Sequence, residues 1–319
     1  MLRTAEFVSP GHPDKMCDRI ADSILDACLK QDPDTRAAIE VMGGHNIVTV
    51  TGEITTTAYV NAQETVRKIV GNNSGVQVNI VRQSPFIAQG VDTGGAGDQG
   101  IMIGYACSEN EEMIPQEAYL ARSLNRFLYK IYNTDGKTQI TLKNNDIIAI
   151  VASFQLSKTE KLTKEVIQWA KELKLDIKNT KLHINPAGEW QVGGFDADTG
   201  VTGRKLIVDN YGPRIPIGGG SFSGKDSTKV DRSAAYMARR IAVDYLREKK
   251  AKEVFVQLAY AIGVAEPVQA TAIVDGVEMT VTGYDLTPTA IIKRLKLKEP
   301  IFSKTAEWGH FGNGFPWDK

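Results

Sequence analysis

The sequence is poor in the features that mark several specialised classes of protein. Its 319 residues include only three cysteines, Cys17, Cys28 and Cys107. They are odd in number and lack metal-ligand spacing, which argues against a disulfide scaffold or a zinc ribbon. No apolar run approaches the roughly 20 residues that span a bilayer. The first residues also lack the apolar stretch of a signal peptide, so we expect a cytoplasmic protein with free thiols.

An excess of charge of one sign is missing as well. Lys and Arg total 38, and Asp and Glu total 38, so the formal net charge is zero. A neutral chain with few interleaved aromatic residues is not suited to bulk attraction to nucleic acid or to an anionic membrane, and we expect neither as a partner. With 42% hydrophobic and 24% charged residues, the composition is that of a globular chain with one large core or several smaller ones.

The hydrophobic pattern repeats one order of elements three times. Long helices are predicted to begin at Pro13, near Pro115 and after Ser227, where Thr228 with Asp231 resembles a capping box. Each long helix leads to two strands and a shorter helix. The strand pairs are predicted at residues 37–42 and 46–55, 138–144 and 147–156, and 254–262 and 269–275, and the shorter helices near 61–70, 159–173 and 287–297. Strands joined by short turns favour an α+β fold over a doubly wound parallel sheet.

Two glycine-rich segments match nucleotide-binding motifs but lack the context that those motifs require. GAGDQG at residues 95–100 satisfies G-x-G-x-x-G, yet a strand is predicted after it where a dinucleotide site needs a helix. GGSFSGKD at residues 219–226 satisfies G-x-x-x-x-G-K, yet Asp226 stands where the P-loop needs a Ser or Thr hydroxyl. We therefore expect neither a Rossmann site nor a Walker A site. Phosphate binding by another geometry stays open, because the glycines free the backbone and Lys225 supplies charge.

Basic residues are concentrated between residues 204 and 240, which hold eight basic and three acidic side chains. This segment is either a solvated basic face or a site for a highly charged anion, with Asp231 as a metal ligand. The first helix start offers a second candidate site. There, His12 could donate to a phosphate oxygen and Asp14 could bind Mg²⁺, or both could simply cap the helix. The remaining histidines lack a partner pattern and are expected to be structural: His45, His183 and His310.

Several motifs occur in an order that resembles the S-adenosylmethionine synthetase (methionine adenosyltransferase) family. They are GHPDK at 11–15, GEITT at 52–56, GAGDQG at 95–100, TGRK at 202–205, GGGSFSGKD at 218–226, KVDRSA at 229–234, YAIGVAEP at 260–267 and GHFG at 309–312. The resemblance covers the chain from end to end. Each motif alone is modest, whereas the ordered set is highly specific.

The resemblance implies an α+β fold of three similar domains about a pseudo-threefold axis, each a small mixed sheet with helices on one face. The expected divisions are an N-terminal domain at 1–90, a gating loop and following strand at 91–104, a central domain at 105–190 and a C-terminal domain at 191–319, interwoven rather than strictly sequential. It also implies a homodimer, doubled in some members to a homotetramer, with active sites between subunits. The gating loop, residues 90–97, is shorter than usual, which bears on how fully it closes.

The implied reaction joins ATP and L-methionine. The methionine sulfur attacks C5′ of ATP and displaces the triphosphate, which is then hydrolysed to diphosphate and phosphate. A thioether needs no general base, so the site must orient the reactants and stabilise a leaving group that gains negative charge. Two Mg²⁺ per site and one K⁺ per subunit are implied. The alternatives are another phosphate-transferring enzyme, such as a kinase, and a non-catalytic subunit that binds a catalytic partner.

The resemblance also assigns the site residues, motif by motif. The implied catalytic residues are His12, Lys137, Asp198, Arg204 and Lys225. These five also belong to the implied ATP-binding set, which adds Asp135, Glu189, Trp190, Lys205 and Ser221. The implied methionine-binding residues are Glu53, Gln89, Asp98, Asp198, Lys229 and Ile262. The implied metal ligands are Asp14 and Asp231 for Mg²⁺ and Glu40 for K⁺. Trp190 stands where the family usually has a Phe that stacks on adenine, and an indole can stack as well.

Overall fold

Three four-stranded sheets and the helices that cover them make up the described part of the computed structural model, residues 1–82 and 94–319. In chain order the elements are β1 (Leu2–Val8), α1 (Pro13–Leu29), β2 (Arg36–Gly44), β3 (Ile47–Thr55), α2 (Ala62–Val70), β4 (Gly75–Val81), β5 (Gly100–Cys107), α3 (Gln116–Tyr132), β6 (Gly136–Lys143), β7 (Asp146–Phe154), α4 (Thr159–Glu172), β8 (Lys181–Ile184), β9 (Gly200–Val201), α5 (Leu206–Asp209), α6 (Val230–Glu248), β10 (Glu253–Tyr260), β11 (Gln269–Val274), β12 (Val277–Thr280), α7 (Pro288–Leu295) and α8 (Phe302–Trp308).

The sheets combine strands from distant parts of the chain. Their strand orders are β1-β6-β7-β8, β4-β3-β2-β9 and β12-β11-β10-β5. The β3–β4 and β7–β8 pairs are parallel, and the other pairs are antiparallel. The N-terminal strand β1 lies beside β6, and β5 lies beside β10. Each sheet therefore contains the hairpin that follows one long helix, together with strands from elsewhere.

The predicted order of a long helix, two strands and a shorter helix is confirmed for α1 and α3, and in the third unit a further strand, β12, comes between the strand pair and α7. The long helices α1, α3 and α6 begin at Pro13, Gln116 and Val230. The hairpin between β2 and β3 turns at His45 and Asn46, which both have positive φ. This is the geometry of a two-residue hairpin turn whose twist matches that of the strands. The predicted α+β class is likewise confirmed.

The largest hydrophobic cluster of the described residues extends from the sheet β4-β3-β2-β9 beside α1, the α1 sheet, to the sheet β12-β11-β10-β5 beside α6, the α6 sheet. It contains a compact set of aromatic rings. Tyr236 stacks on Trp317 with 3.7 Å between ring centroids, and Tyr211 stacks on Phe311 at 4.6 Å. Phe222 meets both Tyr236 and Phe311 edge-on. Because Phe222 belongs to the glycine-rich segment 218–226, this core anchors that segment by a buried ring. None of the helices in the described residues is long and apolar enough to cross a membrane.

Candidate active site

The start of α1 carries a neutral, buried histidine. His12 is the N-cap residue, and its Nδ1 accepts a hydrogen bond from the backbone N–H of Asp14 at 3.2 Å. Burial, together with the positive charges of Lys205 and Lys137, lowers the pKa of His12 to about 4. With Nδ1 accepting, the ring proton lies on Nε2. His12 therefore offers one N–H donor without a positive charge.

Asp14 lies in the first turn of α1 and is held from three directions. Its Oδ1 accepts the Val201 N–H at 2.9 Å and lies 3.4 Å from Arg204 Nε, and its Oδ2 accepts from Lys205 Nζ at 2.5 Å. Burial opposes the charge of this carboxyl, but the Lys205 and Val201 hydrogen bonds outweigh it, and the pKa of Asp14 is lowered. A buried, charged carboxylate beside two cations is thus present at the helix start.

Lys137 on β6 and two predicted aspartates lie close to His12. Lys137 and Asp198 both interact electrostatically with His12 and with Asp135. Asp135 Oδ2 accepts the Gly194 N–H at 3.0 Å, and within the described residues its Oδ1 has no hydrogen-bond partner. Burial raises the pKa of Asp135. We call the assembled set the α1 group: His12, Asp14, Asp135, Lys137, Asp198, Arg204 and Lys205.

Trp190 lies beside the α1 group. Its indole N–H donates to Ser153 Oγ at 3.0 Å. Ser153 is the cross-strand neighbour of Lys137 in the β6–β7 pair. A Cβ at Gly193 would lie 2.8 Å from the indole ring, so a glycine lets the backbone approach it. The half-buried indole therefore lies next to a lysine of the group.

Some predicted residues lie apart from this group. Glu189 pairs with Lys158 at 2.8 Å and accepts the Thr159 N–H at 2.9 Å, so it caps α4. Asp98 is exposed and accepts the N–H of the next residue, and Ile262 is 60% exposed. Gln89 lies outside the described residues.

The start of α6 holds a second set, the α6 group: Lys225, Lys229 and Asp231. Lys225 Nζ donates to Asp231 Oδ2 at 2.7 Å, and the Gly220 N–H donates to Asp231 Oδ1 at 3.2 Å. A Cβ at Gly219 or Gly220 would lie 2.7 or 2.8 Å from this carboxylate. The glycines of the segment are therefore needed for the backbone to approach Asp231 closely.

The predicted capping box of Thr228 with Asp231 is wrong. The N-cap residue is Lys229, and its side chain makes no capping hydrogen bond. Asp231 instead bonds Gly220 and Lys225, and within the described part of the chain Thr228 Oγ1 has no partner. The carboxylate is turned toward the glycine-rich segment because that segment supplies both an N–H and an ammonium.

Asp226 has a structural role that was not predicted from its position in the P-loop-like motif. Its Oδ2 accepts the Ala37 N–H of β2 at 2.7 Å and Lys229 Nζ at 2.5 Å, and its Oδ1 accepts the Thr228 N–H at 2.8 Å. Asp226 thus connects the segment 218–226 to the α1 sheet.

Glu40 lies two residues beyond Ala38 on β2, and Glu53 pairs with Ala38 across β2–β3.

A row of buried carboxylates along α1 was not predicted from the sequence. They recur every four residues, so they share one helix face, and each accepts at least one backbone N–H from a segment that is distant in sequence. This aspartate row consists of Asp14, which accepts the N–H of Val201, Asp18, which accepts that of Gly203, Asp22, which accepts that of Gly224, and Asp26, which accepts those of Phe302 and Ser303. The signal was present in the sequence as Asp at a strict interval of four along the first predicted helix.

The row fixes the loops that carry both groups. Asp18 holds the residue before Arg204, and Asp22 holds the residue before Lys225. Burial and the neighbouring Asp209 raise the pKa of Asp18. A predicted structural histidine is confirmed as part of this interior: His310 is buried, and its Nδ1 lies 2.9 Å from a tyrosine hydroxyl.

The two groups stay separate within one chain. In residues 1–82 and 94–319, no hydrogen bond or ion pair joins a side chain of the α1 group to one of the α6 group. Their loops do touch, because Gly203, with φ +79°, packs against Ser221. The same described ranges contain no cluster of three or more His, Cys, Asp or Glu side chains that could hold a metal ion.

At two helix starts, a carboxylate faces lysine or arginine side chains. This arrangement is typical of an enzyme that binds a phosphate-rich anion together with a divalent cation.

Comparison with known proteins identifies the family. The chain matches the S-adenosylmethionine synthetase N-terminal domain over residues 1–84, the central domain over 93–190 and the C-terminal domain over 192–319. An S-adenosylmethionine synthase of Petrotoga mobilis is 40% identical and covers 100% of this chain and 96% of the relative. One of a Sulfurovum species is 40% identical and covers 99% and 95%. The chain belongs to the S-adenosylmethionine synthetase family, as the ordered motifs predicted.

Proposed function

We propose that the chain synthesises S-adenosyl-L-methionine from ATP and L-methionine and then hydrolyses the bound tripolyphosphate to diphosphate and phosphate. The observation that carries this proposal is the presence of cations beside a first-turn carboxylate at both helix starts. The methionine sulfur is nucleophilic without a base, so the barrier depends on a leaving group that gains negative charge. Arg204, Lys205 and Lys225 supply positive charge for that leaving group.

His12 suits a position near C5′ of ATP. Its neutral ring offers Nε2–H to the phosphate oxygen on which charge develops, and it does so without a desolvated positive charge of its own. Lys137 extends the positive surface along β6, and the half-buried Trp190 next to it offers an aromatic face to adenine. Asp198 lies near both His12 and Asp135 and suits contacts with the nucleoside and methionine.

Asp14 and Asp231 fit two Mg²⁺ ions, because Mg²⁺ prefers one or two carboxylates completed by phosphate oxygens and water. Each carboxylate faces a lysine ammonium, and this pairing with a positive charge supports the assignment. When bound, Mg²⁺ would neutralise and orient the triphosphate. Glu40, exposed on β2, is the proposed K⁺ ligand, since a carboxylate oxygen suits a hard cation.

We further propose that the active site lies between two copies of the chain. The α1 group of one protomer would face the α6 group of its partner, together with Glu53, Asp98 and Ile262 as methionine contacts. Large apolar side chains are exposed on the sheets, including Met42 on β2 and Ile101 on β5, and such surfaces are typical of an interface. The homodimer could double to a homotetramer. The cytoplasm suits its buried free thiols.

The test is to incubate the purified protein with ATP, L-methionine, Mg²⁺ and K⁺ and to follow products by mass spectrometry and phosphate analysis. We expect S-adenosylmethionine with equal amounts of diphosphate and phosphate. Release of intact tripolyphosphate would contradict the second step. Turnover only with an added catalytic partner would instead support a non-catalytic subunit, and phosphorylation of an added acceptor would support a kinase.

A further inference from the structure

A buried ion pair links the two long helices that carry the site groups. Asp22 lies in α1 and Arg232 in α6, and both side chains are fully buried. Arg232 Nη1 donates to Asp22 Oδ1 at 2.7 Å, and Nη2 donates to Oδ2 at 2.8 Å. This is the bidentate arrangement that fixes direction as well as distance.

The pair holds the backbone of the residue that carries the α6 ammonium. Arg232 Nη1 also donates to the Lys225 carbonyl at 2.9 Å, and the Gly224 N–H donates to Asp22 Oδ1 at 2.8 Å. The Gly224 carbonyl in turn accepts the Ile39 N–H at 3.1 Å. The backbone at 224–225 is therefore fixed from α1, from α6 and from β2.

Arg232 has no donor group left for another purpose. Its Nε donates to Tyr236 Oη at 3.1 Å, and its Nη2 also donates to Thr305 Oγ1 at 3.2 Å. A buried ion pair is weak evidence for stability, because apolar residues of similar volume are often as stable there. A specific geometric role accounts better for so complete a set of contacts.

Asp26 provides an internal comparison. It lies one turn further along the aspartate row, is also buried, and accepts the Phe302 and Ser303 N–H groups at 3.0 and 2.8 Å. Within the described residues it has no cation partner, and its contacts lead to α8 rather than to a site lysine. Of the two, only Asp22 reaches the site.

We propose that Asp22 and Arg232 are positioning residues that set the place of the Lys225 ammonium relative to the leaving group. The proposal rests on the proposed function, in which Lys225 stabilises the departing triphosphate. Neither residue touches substrate; both act through the Lys225 backbone. A misplacement of about 1 Å in a reacting geometry can cost on the order of 100-fold in rate, so a small shift of this backbone is enough to matter.

The test is a double-mutant cycle that combines Arg232→Lys with Lys225→Ala. Arg232→Lys keeps the charge but removes the fork that grips Asp22 and the Lys225 carbonyl. Alone, it is expected to lower kcat by roughly 10- to 100-fold with KM for methionine unchanged. In the Lys225→Ala background the same change is expected to have little further effect. Equal fold losses in both backgrounds would overturn the proposal, because the pair would then act on the fold in general.

Two further measurements keep the outcome decisive. Asp26→Asn, the matched control, is expected to leave kcat unchanged. If Arg232→Lys fails to fold, Asp22→Glu, which displaces the pair by one methylene, replaces Arg232→Lys in the cycle.

Binding of Mg²⁺–tripolyphosphate by calorimetry is the second readout. The affinity for Mg²⁺–tripolyphosphate should fall on Arg232→Lys only where Lys225 is present. A parent chain without adenosyl transfer would refute the proposed function, while this binding cycle would still support or overturn the positioning role.

Discussion

Asp14 and Asp231 occupy the same place in two different helices, and their surroundings differ. Each is the second residue of a long helix and pairs with a lysine from a loop. The Asp14 side chain is only 1% exposed and meets two cations, whereas that of Asp231 is 10% exposed and meets one. The α1 position is therefore more enclosed and has more charged partners, and the α6 position is more open to solvent.

The third long helix shows what the position becomes when both cations are arginines locked into the structure. Glu117, second in α3, lies 3.5 Å from Arg3 and 3.4 Å from Arg214, and it is 1% exposed. Both arginines also bond Glu109. The repeat thus places an acid at each helix start, and the loops around it decide whether it binds a ligand or holds the fold.

The largest expected effect concerns the open position. Lys225→Ala should lower adenosyl transfer by roughly 10²- to 10³-fold, because it removes charge stabilisation of the leaving group. The midpoint of thermal unfolding should change little, since Lys225 is partly exposed. Lys298→Ala, which removes an exposed lysine paired with Asp34, is the control and should leave the rate unchanged. A Lys225→Ala rate equal to that of the parent would remove this residue from the mechanism.

The enclosed α1 position should affect the pH dependence of stability. The pKa of His12 falls from 6.5 to about 4 on folding, so the unfolded chain binds the proton more tightly. Above pH 6.5, His12 is neutral in both states and its burial does not oppose folding. As the pH falls toward 4, the unfolded chain binds a proton that the folded chain does not, and the free energy of unfolding decreases by up to about 3 kcal/mol. His12→Asn can keep the N-cap hydrogen bond and should lose this part of the pH dependence. Urea unfolding at several pH values tests it; parallel curves for the two proteins would contradict it.

A smaller effect separates the two aspartates directly. Asp14→Asn should lower the free energy of unfolding by about 1 to 3 kcal/mol, because it leaves Lys205 without its buried partner. Asp231→Asn should cost less than about 1 kcal/mol but shift the Mg²⁺ titration of activity to higher concentration. If the titrations of Asp231→Asn and the parent superimpose, Asp231 is only a helix-start residue.

The smallest effect is expected at the aromatic side chain next to the α1 group. Trp190→Phe keeps a stacking ring and loses only the hydrogen bond to Ser153, so KM for ATP should change by less than about threefold. Trp190→Ala should raise it by roughly tenfold or more. Equal KM values for all three proteins would show that the indole serves core packing instead.

Much of the fold could be predicted from local sequence patterns, whereas many of the contacts that hold the site residues in place could not. The helix start at Pro13 and the strand pairs were predictable because apolar spacing and turn residues act over a few positions. The roles of Asp22 and Asp226 were not, because their partners lie far along the chain. Thr228 was misassigned for the same reason: the glycine-rich segment competes for Asp231 and defeats the local capping rule.

In the proposed dimer, the α1 group of one protomer works with the α6 group of its partner. Hybrid dimers of Lys137→Ala and Lys225→Ala, purified through two different tags, test this arrangement. Each variant alone should be nearly inactive. In a hybrid, one of the two sites receives both intact groups, so about half of the parent activity should return. Hybrids as inactive as the single variants, or a chain that forms no dimer, would contradict this arrangement and place the whole site within one chain.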